Sequence, residues 1–407
     1  MKKFSHLTKV SIMLAVLFGL DKALGLLRQM IISRQFGLSA ALDVFNAANN
    51  LPDMLFMLIS GGALSIAFIP VLTEVLGKNG QRKAWDLFSN ILNIAFLVTA
   101  FLAIIIAIFA RPLITNQLGI APGFSPEQVD QTVVLLRLNL VATLIFSLSG
   151  LVMAGLQANQ HFLFPALAPI LYDLGQIFGA LVLAPAMPYK IGPFTLPAFG
   201  LGINGLVYGV IIGALLHLVI QIPGLVLYKF HWAPVVSLKS PETQKVLKLM
   251  GPRLISMLFI QLIFLVQDNL ASRLDSGSVT ALTYGWWIMQ VPETLIGTAI
   301  ATAILPSLSE LVNKNQLDEL KSKVEQAAQV MLAITIPVAI IAGVVLQPVI
   351  QRLLGFSMEE TSRGVSVARI FLIGIVGHSL VELLVRSFYA MQKPRFPLIG
   401  AGITFVL

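Results

Sequence analysis

Leu87–Ala110 reads LFSNILNIAFLVTAFLAIIIAIFA, a run of 24 residues without a charged side chain. A helix of about 20 apolar residues crosses the roughly 30 Å hydrocarbon core of a bilayer. Inside lipid, every backbone N–H and C=O group must find its partner within the chain, and a single apolar stretch achieves this only as a helix. The stretch is therefore predicted to be a transmembrane helix, and it decides the fold class.

Similar apolar runs fill the rest of the chain, which is 57% hydrophobic and 11% charged. A soluble domain has about 25% charged residues with which to cover its surface. The sequence therefore predicts an all-α polytopic membrane protein with about eleven spans. Ten are complete, and an eleventh begins at Phe396. The predicted limits of the ten are 10–34, 42–75, 87–110, 131–156, 162–187, 201–228, 246–272, 279–310, 325–354 and 364–391.

The net charge is +8, and most of the Lys and Arg residues lie in the segments between spans, as in membrane proteins whose topology they determine, rather than in a patch that would bind nucleic acid. Fifteen Lys and Arg residues lie in the N-terminal segment and every second connection, and six lie in the other connections. Since positive loops stay in the cytoplasm, the N-terminus is predicted to be cytoplasmic in a bacterial inner membrane. The apolar run after Met1-Lys2-Lys3 has no small-residue cleavage site, so it is predicted to remain as the first span. No nucleic-acid partner is predicted.

Two short motifs recur at nearly one spacing and indicate an internal repeat. Ile69–Glu74 resembles Leu305–Glu310 at an offset of 236 residues, and Ala158–Pro165 resembles Ala390–Pro397 at 232. Six spans is an even number, so the second copy enters the membrane in the same direction as the first. The sequence predicts two six-helix lobes related by a parallel repeat, residues 1–238 and 239–407. The second lobe is expected to be incomplete, with further spans beyond residue 407.

The first span contains Asp21, Lys22 and Arg28 around Gly25. Ionisable residues in a span are costly and usually mark a pathway or a partner. Asp21, Gly25 and Arg28 share one helical face. Two interpretations remain open: the cations line a central cavity as substrate ligands, or Asp21 only compensates Lys22 or Arg28.

The second span begins with the densest polar cluster in any span. It contains Asp43, Asn46, Asn49, Asn50 and Asp53. Such side chains lack partners in hydrocarbon. Two explanations remain open: the mouth of a water-filled cavity, in which Asn46 and Asn50 would be substrate-binding residues, and hydrogen bonding between helices. Pro52, Gly61 and Gly62 predict a kink, hinge or gate in the same span.

The tenth span carries His378, Glu382 and Arg386 at i, i+4 and i+8. An ion pair between Glu382 and Arg386 and a proton- or substrate-linked role for the trio both remain open. Trp286 and Trp287 complete this possible secondary site. Arg137, Asn139, Asp173 and Asp268 are isolated in other spans. The chain has no cysteine and no motif of an enzyme, metal or phosphate-binding site, so neither enzymatic activity nor a cofactor is predicted.

Several motifs together resemble the MurJ/MviN lipid II flippase family of the multidrug/oligosaccharidyl-lipid/polysaccharide exporter superfamily. They are Ala23–Arg28, Phe36-Gly37, Asp43–Phe45, Leu51–Asp53, Gly62–Pro70, Met250–Pro252, Ser276–Val279 and Leu305–Ser309. The resemblance implies a central cationic cavity with Lys22, Arg28 and Asp43 among its residues. It also implies alternating-access transport of a polyprenyl-diphosphate-linked peptidoglycan precursor, with membrane lipids and cell-wall synthesis proteins as partners.

The chain departs from the family pattern in residues that carry charge. Phe56 and Met57 stand where the family commonly has two arginines, and Gly61 replaces a glutamate. Trp286-Trp287 replaces an Asp-Arg pair of the eighth span. Because a diphosphate needs cations in place of water, two alternatives to the flippase remain open. These are an exporter of smaller amphiphiles and a non-transporting membrane scaffold.

Overall fold

The computed structural model of the chain describes residues 6–61, 63–191, 193–391, 393 and 395–406, and most of them are helical. The α-helices are α1 His6–Phe36, α2 Ala40–Leu55, α3 Ala63–Ile108, α4 Ala110–Thr115, α5 Pro126–Ala158, α6 Leu163–Phe178, α7 Ile203–Val219, α8 Ile222–Leu227, α9 Pro241–Ala271, α10 Ser278–Glu293, α11 Ala299–Asn313, α12 Leu317–Leu354, α13 Met358–Ala390 and α14 Arg395–Val406. Three π-helical turns interrupt them: π1 Phe56–Gly61, π2 Gly179–Leu183 and π3 Thr294–Thr298. Lys190–Ile191 and Phe194–Thr195 form a short antiparallel hairpin, β1–β2.

Eight helical stretches among the described residues are long and apolar enough to cross a membrane. They are Ala67–Ile108, Pro126–Ala158, Leu163–Leu183, Ile203–Leu227, Leu254–Ala271, Ser278–Val312, Leu317–Leu354 and Met358–Ala390. The predicted all-α polytopic class is thereby confirmed, whereas the count of eleven spans is not. The first of the eight contains the predicted break between two spans, because Gly80 has φ 81° and ψ 176° within α3.

Serine residues mark the beginnings of several long helices. Ser125 accepts a hydrogen bond from the Gln128 N–H, while the Gln128 side chain accepts one from the Ser125 N–H. Ser357 and Glu360 form the same reciprocal pair at the start of α13, 232 residues later. Such capping boxes satisfy N–H groups that have no partner within the helix. The two boxes reproduce one of the predicted repeat offsets.

A second pair of local contacts repeats at the same spacing. Arg137 Nε on α5 donates to the Ala107 carbonyl at 3.0 Å, and Arg369 Nε on α13 donates to the Gly343 carbonyl at 2.9 Å. The donors are 232 residues apart and the acceptors 236, the two offsets found in the sequence. The α3–α5 pair and the α12–α13 pair are therefore corresponding elements of one repeat.

Contacts divide the chain into two compact units. The first comprises Met1–Gln35 and Val44–Arg273, and the second comprises Phe36–Asp43 and Leu274–Leu407. Within the first unit α5 packs against α3 and α7, and α9 packs against α3. Within the second unit α13 packs against α10, α11 and α12. Packing thus groups α9 with the first unit, while the lobe boundary at 238–239 is a property of the sequence repeat and remains a prediction.

The backbones of α6 and α7 touch through glycine. A Cβ atom on Gly175 would lie 2.4 Å from the Gly213 Cα, and one on Gly179 would lie 2.6 Å from the Gly209 Cα. Small residues four apart let helices approach this closely in membranes, where packing rather than a hydrophobic driving force holds them together. This contact fixes the position of the α6 turn that carries Asp173.

Candidate functional site

Arg28 on α1 forms an ion pair with Asp173 on α6, inside the first unit. Arg28 Nη1 donates to Asp173 Oδ1 at 2.6 Å, and the two side chains are 23% and 8% exposed. A charge-assisted hydrogen bond of this length compensates two charges that would be expensive apart. The partner of Arg28 is therefore Asp173 and not Asp21.

Gly25 lies one turn before Arg28, beside the same carboxylate. A Cβ atom at Gly25 would be 3.4 Å from Asp173 Oδ2, an ordinary contact distance that leaves room for a methyl group and little more. Helix α1 thus presents a gap to Asp173 and, one turn further on, the guanidinium that binds it. The local sequence Gly25–Arg28 is suited to holding an acid from another helix.

Lys22 is a solvent-accessible cation on α1. Its side chain is 84% exposed, and its Nζ lies 3.5 Å from Asp21 Oδ2. An exposed pair of this kind contributes little to stability. Lys22 is therefore free to change its partner at small energetic cost.

The asparagines of α2 bond to other helices of the first unit. Asn139 Nδ2 on α5 donates to Asn49 Oδ1 at 2.7 Å, and Asn50 Nδ2 donates to Asp268 Oδ2 on α9 at 2.8 Å. These are the interhelical hydrogen bonds that were one of the two explanations for the polar cluster. Asn46 is half-buried in the same helix. A role for Asn46 and Asn50 in substrate binding remains a prediction.

Asp43 caps the beginning of α10 within the second unit. Its carboxylate accepts hydrogen bonds from the Gly277 N–H at 2.6 Å and from the N–H and hydroxyl of Thr280, both at 2.7 Å. The residue is 2% exposed. Asp43 therefore has a structural task at a helix N-terminus, and its predicted role as a substrate ligand would require these bonds to be replaced.

The predicted hinge coincides with a π-helical turn. Pro52 lies inside α2, and π1 ends at Gly61, whereas Gly62 lies outside the described residues. Thr143 Oγ1 on α5 contacts the Pro52 carbonyl at 3.5 Å. A π turn inside a helix often marks a functional site. Movement at Pro52 and Gly61 remains a prediction.

The tenth-span trio divides between two sets of contacts in the second unit. Arg386 Nη2 lies 3.1 Å from Glu382 Oε2, and Arg386 Nη1 donates to the Thr298 carbonyl at 2.8 Å and to the Thr302 hydroxyl. His378 instead faces Glu293 of α10, with 3.7 Å between Nδ1 and Oε1. Helix α13 thus carries an ion pair at hydrogen-bond distance between Glu382 and Arg386. Earlier in the helix, His378 lies beside Glu293 at a distance too long for a hydrogen bond.

The tryptophans of the possible secondary site are half-buried. The Trp286 ring meets the His378 ring edge-on at 5.3 Å and the Phe371 ring at 6.0 Å. Trp286 therefore shields one side of His378. The position of Trp287 beside it gives no further polar contact to the trio.

Sequence reasoning missed the partners Asp173 and Glu293. A signal for Glu293 was present, because Pro292-Glu293 precedes π3 as Pro52-Asp53 precedes π1. The spacing of Gly205, Gly209 and Gly213, four residues apart, also indicates that another helix can approach α7 closely. Asp173 itself had no such signal, since its partner is 145 positions away.

Solved structures similar to the chain share this helical architecture. One is described as lipid II flippase MurJ in an inward closed conformation, with a TM-score of 0.79 and 22% identity, covering 97% of this chain and 79% of that chain. Another is an inward-facing multidrug resistance MATE transporter of the MOP superfamily, with a TM-score of 0.71 and 15% identity, covering 94% and 83%. At these identities the similarity concerns the fold.

Sequence comparison is more specific than the fold. The lipid II flippase MurJ of Burkholderia cenocepacia is 28% identical over 400 residues, covering 95% of this chain and 74% of that protein. The probable lipid II flippase MurJ of Buchnera aphidicola is 26% identical over 416 residues, covering 99% and 77%. The family profile described as lipid II flippase MurJ matches residues 32–407. With nearly the whole chain matched by the profile, and with the helices and repeat described above, the protein belongs to the MurJ family.

Proposed function

We propose that this chain is a flippase that moves lipid II, or a closely related polyprenyl-diphosphate-linked peptidoglycan precursor, across the bacterial inner membrane by alternating access. The support is membership of the MurJ family together with a multi-pass helical structure. A transporter of this family is not an enzyme. The precursor keeps its covalent structure, and the protein supplies a path for a charged head group that lipid would exclude.

The observation that carries the proposal is the Arg28–Asp173 ion pair between two apolar helices. Arg28 has five N–H donors in a planar fork, and the carboxylate of Asp173 accepts from one nitrogen. The same fork matches the oxygens of a phosphate group, to which it binds in a bidentate manner. Asp173 would neutralise and orient Arg28 until a diphosphate takes its place.

The direct test is movement of a fluorescent lipid II analogue in proteoliposomes. Arg28→Ala should abolish movement, and Arg28→Lys should retain a part of it, because an ammonium group keeps the charge but loses the fork. Arg137→Gln is the matched control, since Arg137 is an arginine of another span bonded to a backbone carbonyl. The control should move lipid at the wild-type rate.

A purely structural role of Arg28 predicts a different result. The double variant Arg28→Gln with Asp173→Asn removes both charges and keeps the side-chain sizes, so it should restore the amount of folded protein. If this double variant also moved lipid II normally, Arg28 would not be a substrate ligand. Export of smaller amphiphiles by the wild type, without lipid movement, would support the alternative exporter function.

We further propose that the N-terminus is cytoplasmic, on the basis of the fifteen-to-six distribution of Lys and Arg. The chain contains no cysteine, so single cysteines report accessibility without background. Ser125→Cys should react with an impermeant maleimide from the periplasmic side, and Asn79→Cys should react only after the inner membrane is permeabilised. The reverse pattern would invert the topology.

Delivery of the precursor to the outer leaflet also implies protein partners for this chain. A lipid-linked precursor delivered to the outer leaflet must be consumed there by cell-wall synthesis enzymes. Cross-linking in growing cells should capture such enzymes at the periplasmic ends of the helices. Their absence from the cross-linked material would limit the partners to the lipid substrate and the surrounding membrane lipids.

A further inference from the structure

We propose that the second unit binds one membrane phospholipid in a groove between α12 and α13, with the phosphate group on Arg369 and an acyl chain along the groove. The α12–α13 groove has a cavity volume of about 450 Å³. Apart from Arg369 its lining is apolar, and it includes Ile336, Ile340 and Val344 on α12 and Leu372, Ile373 and Val376 on α13. Binding of a phospholipid goes beyond the proposed flippase function and does not depend on it.

Arg369 is an exposed cation that uses only one of its nitrogen atoms. Its Nε donates to the Gly343 carbonyl at 2.9 Å, and this bond fixes the guanidinium plane at one end of the groove. Nη1 and Nη2 have no hydrogen-bond partner within the described part of the chain. Two parallel N–H donors are therefore available to a ligand.

The helices that form the groove provide no counter-ion for Arg369. Between Glu325 and Arg352, α12 has no ionisable residue. On α13, Glu360 belongs to the capping box at the helix start, and Glu382 is paired with Arg386. A guanidinium beside hydrocarbon is costly when no anion accompanies it. Because none of these carboxylates is available to Arg369, the anion is expected to come from the membrane.

The depth of Arg369 fits the head group of a lipid. It lies five residues after residue 364, the predicted start of the tenth span, which is about 7.5 Å along the helix. A long arginine side chain at this depth reaches the head-group layer. Val376 is seven residues further, about 10 Å deeper, so the apolar part of the groove runs from the guanidinium towards the middle of the bilayer.

A phosphodiester fits this arrangement better than the diphosphate of the proposed substrate. The two free nitrogens of one guanidinium match the two non-bridging oxygens of one phosphodiester in a bidentate manner. A diphosphate carries more negative charge, and the groove contains no second cation among its described lining residues. Lipid tails are as apolar as the groove, so the tail contributes close packing rather than a hydrophobic driving force. The contact to Arg369 is therefore expected to supply most of the selectivity.

Gly343 provides the space in which the acyl chain would lie. A Cβ atom at Gly343 would have no atom within 4 Å, although the residue lines the groove. In the first unit the equivalent acceptor of Arg137 is the carbonyl of Ala107, which has a side chain. The arginine contact is thus common to both units, while the glycine is specific to the α12–α13 groove.

Photochemical labelling of the purified protein tests the site. The protein is placed in vesicles of phosphatidylethanolamine that contain a small fraction of phosphatidylglycerol with a photoreactive acyl chain, and labelled peptides are identified by mass spectrometry. The wild type should be labelled between Ile336 and Val344 and between Leu372 and Val376. Arg369→Gln should reduce this labelling about tenfold or more, because it removes a charge-assisted hydrogen bond. Labelling of the α3–α5 surface of the same molecules should stay unchanged and shows that the variant is folded.

Filling the groove provides a second variant that keeps the charge. Gly343→Leu places an apolar side chain in the open space and should also abolish labelling of the groove. Gly374→Leu is the matched control, since a Cβ atom there meets no atom within 4 Å and Gly374 does not line the groove. The control should be labelled like the wild type. Wild-type labelling of the groove in both Arg369→Gln and Gly343→Leu would overturn the proposal.

Other occupants of the groove give different results. A photoreactive diacylglycerol with the same chains lacks the phosphate and should label the groove about tenfold less than the phosphatidylglycerol. Equal labelling by the two probes would overturn recognition of the head group. Displacement of the phosphatidylglycerol label by an equal amount of lipid II would assign the groove to the transported substrate instead. An unlabelled wild-type groove with cross-links between two chains would assign it to a second copy of the protein.

Discussion

The two units contain the same backbone interruption with different side chains around it. In the first unit Pro52 and an acid, Asp53, precede π1, and Asp53 is exposed. In the second unit Pro292 and Glu293 precede π3, and Glu293 is buried beside His378. Both units thus contain a π turn that follows a proline and an acid, and the two acidic side chains differ in their exposed surface. The comparison indicates that the fold determines where a π turn occurs in a helix, and that the neighbouring side chains determine the environment of the acid beside it.

A related contrast separates the charged contacts of the units. Arg28–Asp173 is a completed ion pair at 2.6 Å, and Glu293–His378 is an incomplete one at 3.7 Å. A completed buried pair stabilises the protein only while both partners are present. A pair held at 3.7 Å, beyond hydrogen-bond distance, contributes little to stability. The first contact should therefore be sensitive to loss of one partner, and the second should not.

The largest effect is expected when one charge of the completed pair is removed. Asp173→Asn leaves Arg28 without its counter-ion and should cost about 3–5 kcal/mol of stability. Glu293→Gln removes a carboxylate without a close cation and should change stability by less than about 1 kcal/mol, or increase it. Thermal unfolding of both variants in the same detergent makes the comparison. Equal losses in the two variants would show that the contacts do not differ in kind.

Disturbing the glycine contact should separate Asp173 from Arg28 without changing either residue. Gly209→Leu places a side chain where a Cβ atom already lies 2.8 Å from the Gly179 Cα, and overpacking of this kind costs about 1–3 kcal/mol. Gly374→Leu is the matched control, because no atom lies within 4 Å of a Cβ there. The control should unfold at the wild-type temperature. An unchanged Gly209→Leu would mean that α6 and α7 are not held together by this approach.

The corresponding arginines offer a test of equivalence between the units. Arg137→Gln and Arg369→Gln each remove one hydrogen bond to a carbonyl, and each should cost about 0.5–1.5 kcal/mol. Because the bonds are alike at 3.0 Å and 2.9 Å, the two losses should agree within error. Unequal losses in the two variants would show that the two units repeat the geometry of this contact but not its contribution to stability. Denaturant titration of the two single variants and the double variant provides the measurement.

The smallest effect concerns His161, in the connection between α5 and α6. Burial lowers the pKa of this imidazole below its ordinary value of 6.5, so the folded state prefers the neutral ring. Its contribution to stability is present above about pH 6.5 and is lost as the pH falls from there towards the lowered pKa. The His161 and Phe164 rings stack with 4.8 Å between their centres. His161→Phe keeps an aromatic ring at this position but removes the titrating group, so the loss of stability at acidic pH should be smaller. Unfolding midpoints at a series of acidic pH values will show whether the slope changes.

The sequence predicted the positions of the helices better than the contacts between them. Charge-free runs and Gly or Pro punctuation placed most helix ends within a few residues, and the start of α12 within eight, because length and apolarity are local properties. The repeat was also visible, since Pro70 and Pro306 stand at equivalent places in α3 and α11. The interruption inside α3 was expected, because Asn79-Gly80 is a turn signal between two predicted spans, and Gly80 has non-helical φ and ψ values there.

The candidate sites were predicted only in part. Helical periodicity identifies residues on one face, such as Gly25 and Arg28, but does not say which helix that face meets. Arg28 and Asp173 are 145 positions apart, and His378 and Glu293 are brought together by the packing of α10 on α13. Asp43 shows the same limit, since its carboxylate serves a helix that begins 235 residues later. Tertiary packing supplies this information, and an isolated sequence contains no local trace of it.

The π turns have a consequence for changes in chain length. A π turn closes its hydrogen bonds over five residues where an α turn uses four, so it accommodates one additional residue in an otherwise regular helix. Deleting one residue from Thr294–Thr298 would convert π3 to an α turn and leave the faces of α10 and α11 almost unrotated. The same deletion in the middle of α12 would turn all that follows by about 100°. Among relatives of this protein, single-residue gaps inside the membrane should therefore collect at π1, π2 and π3.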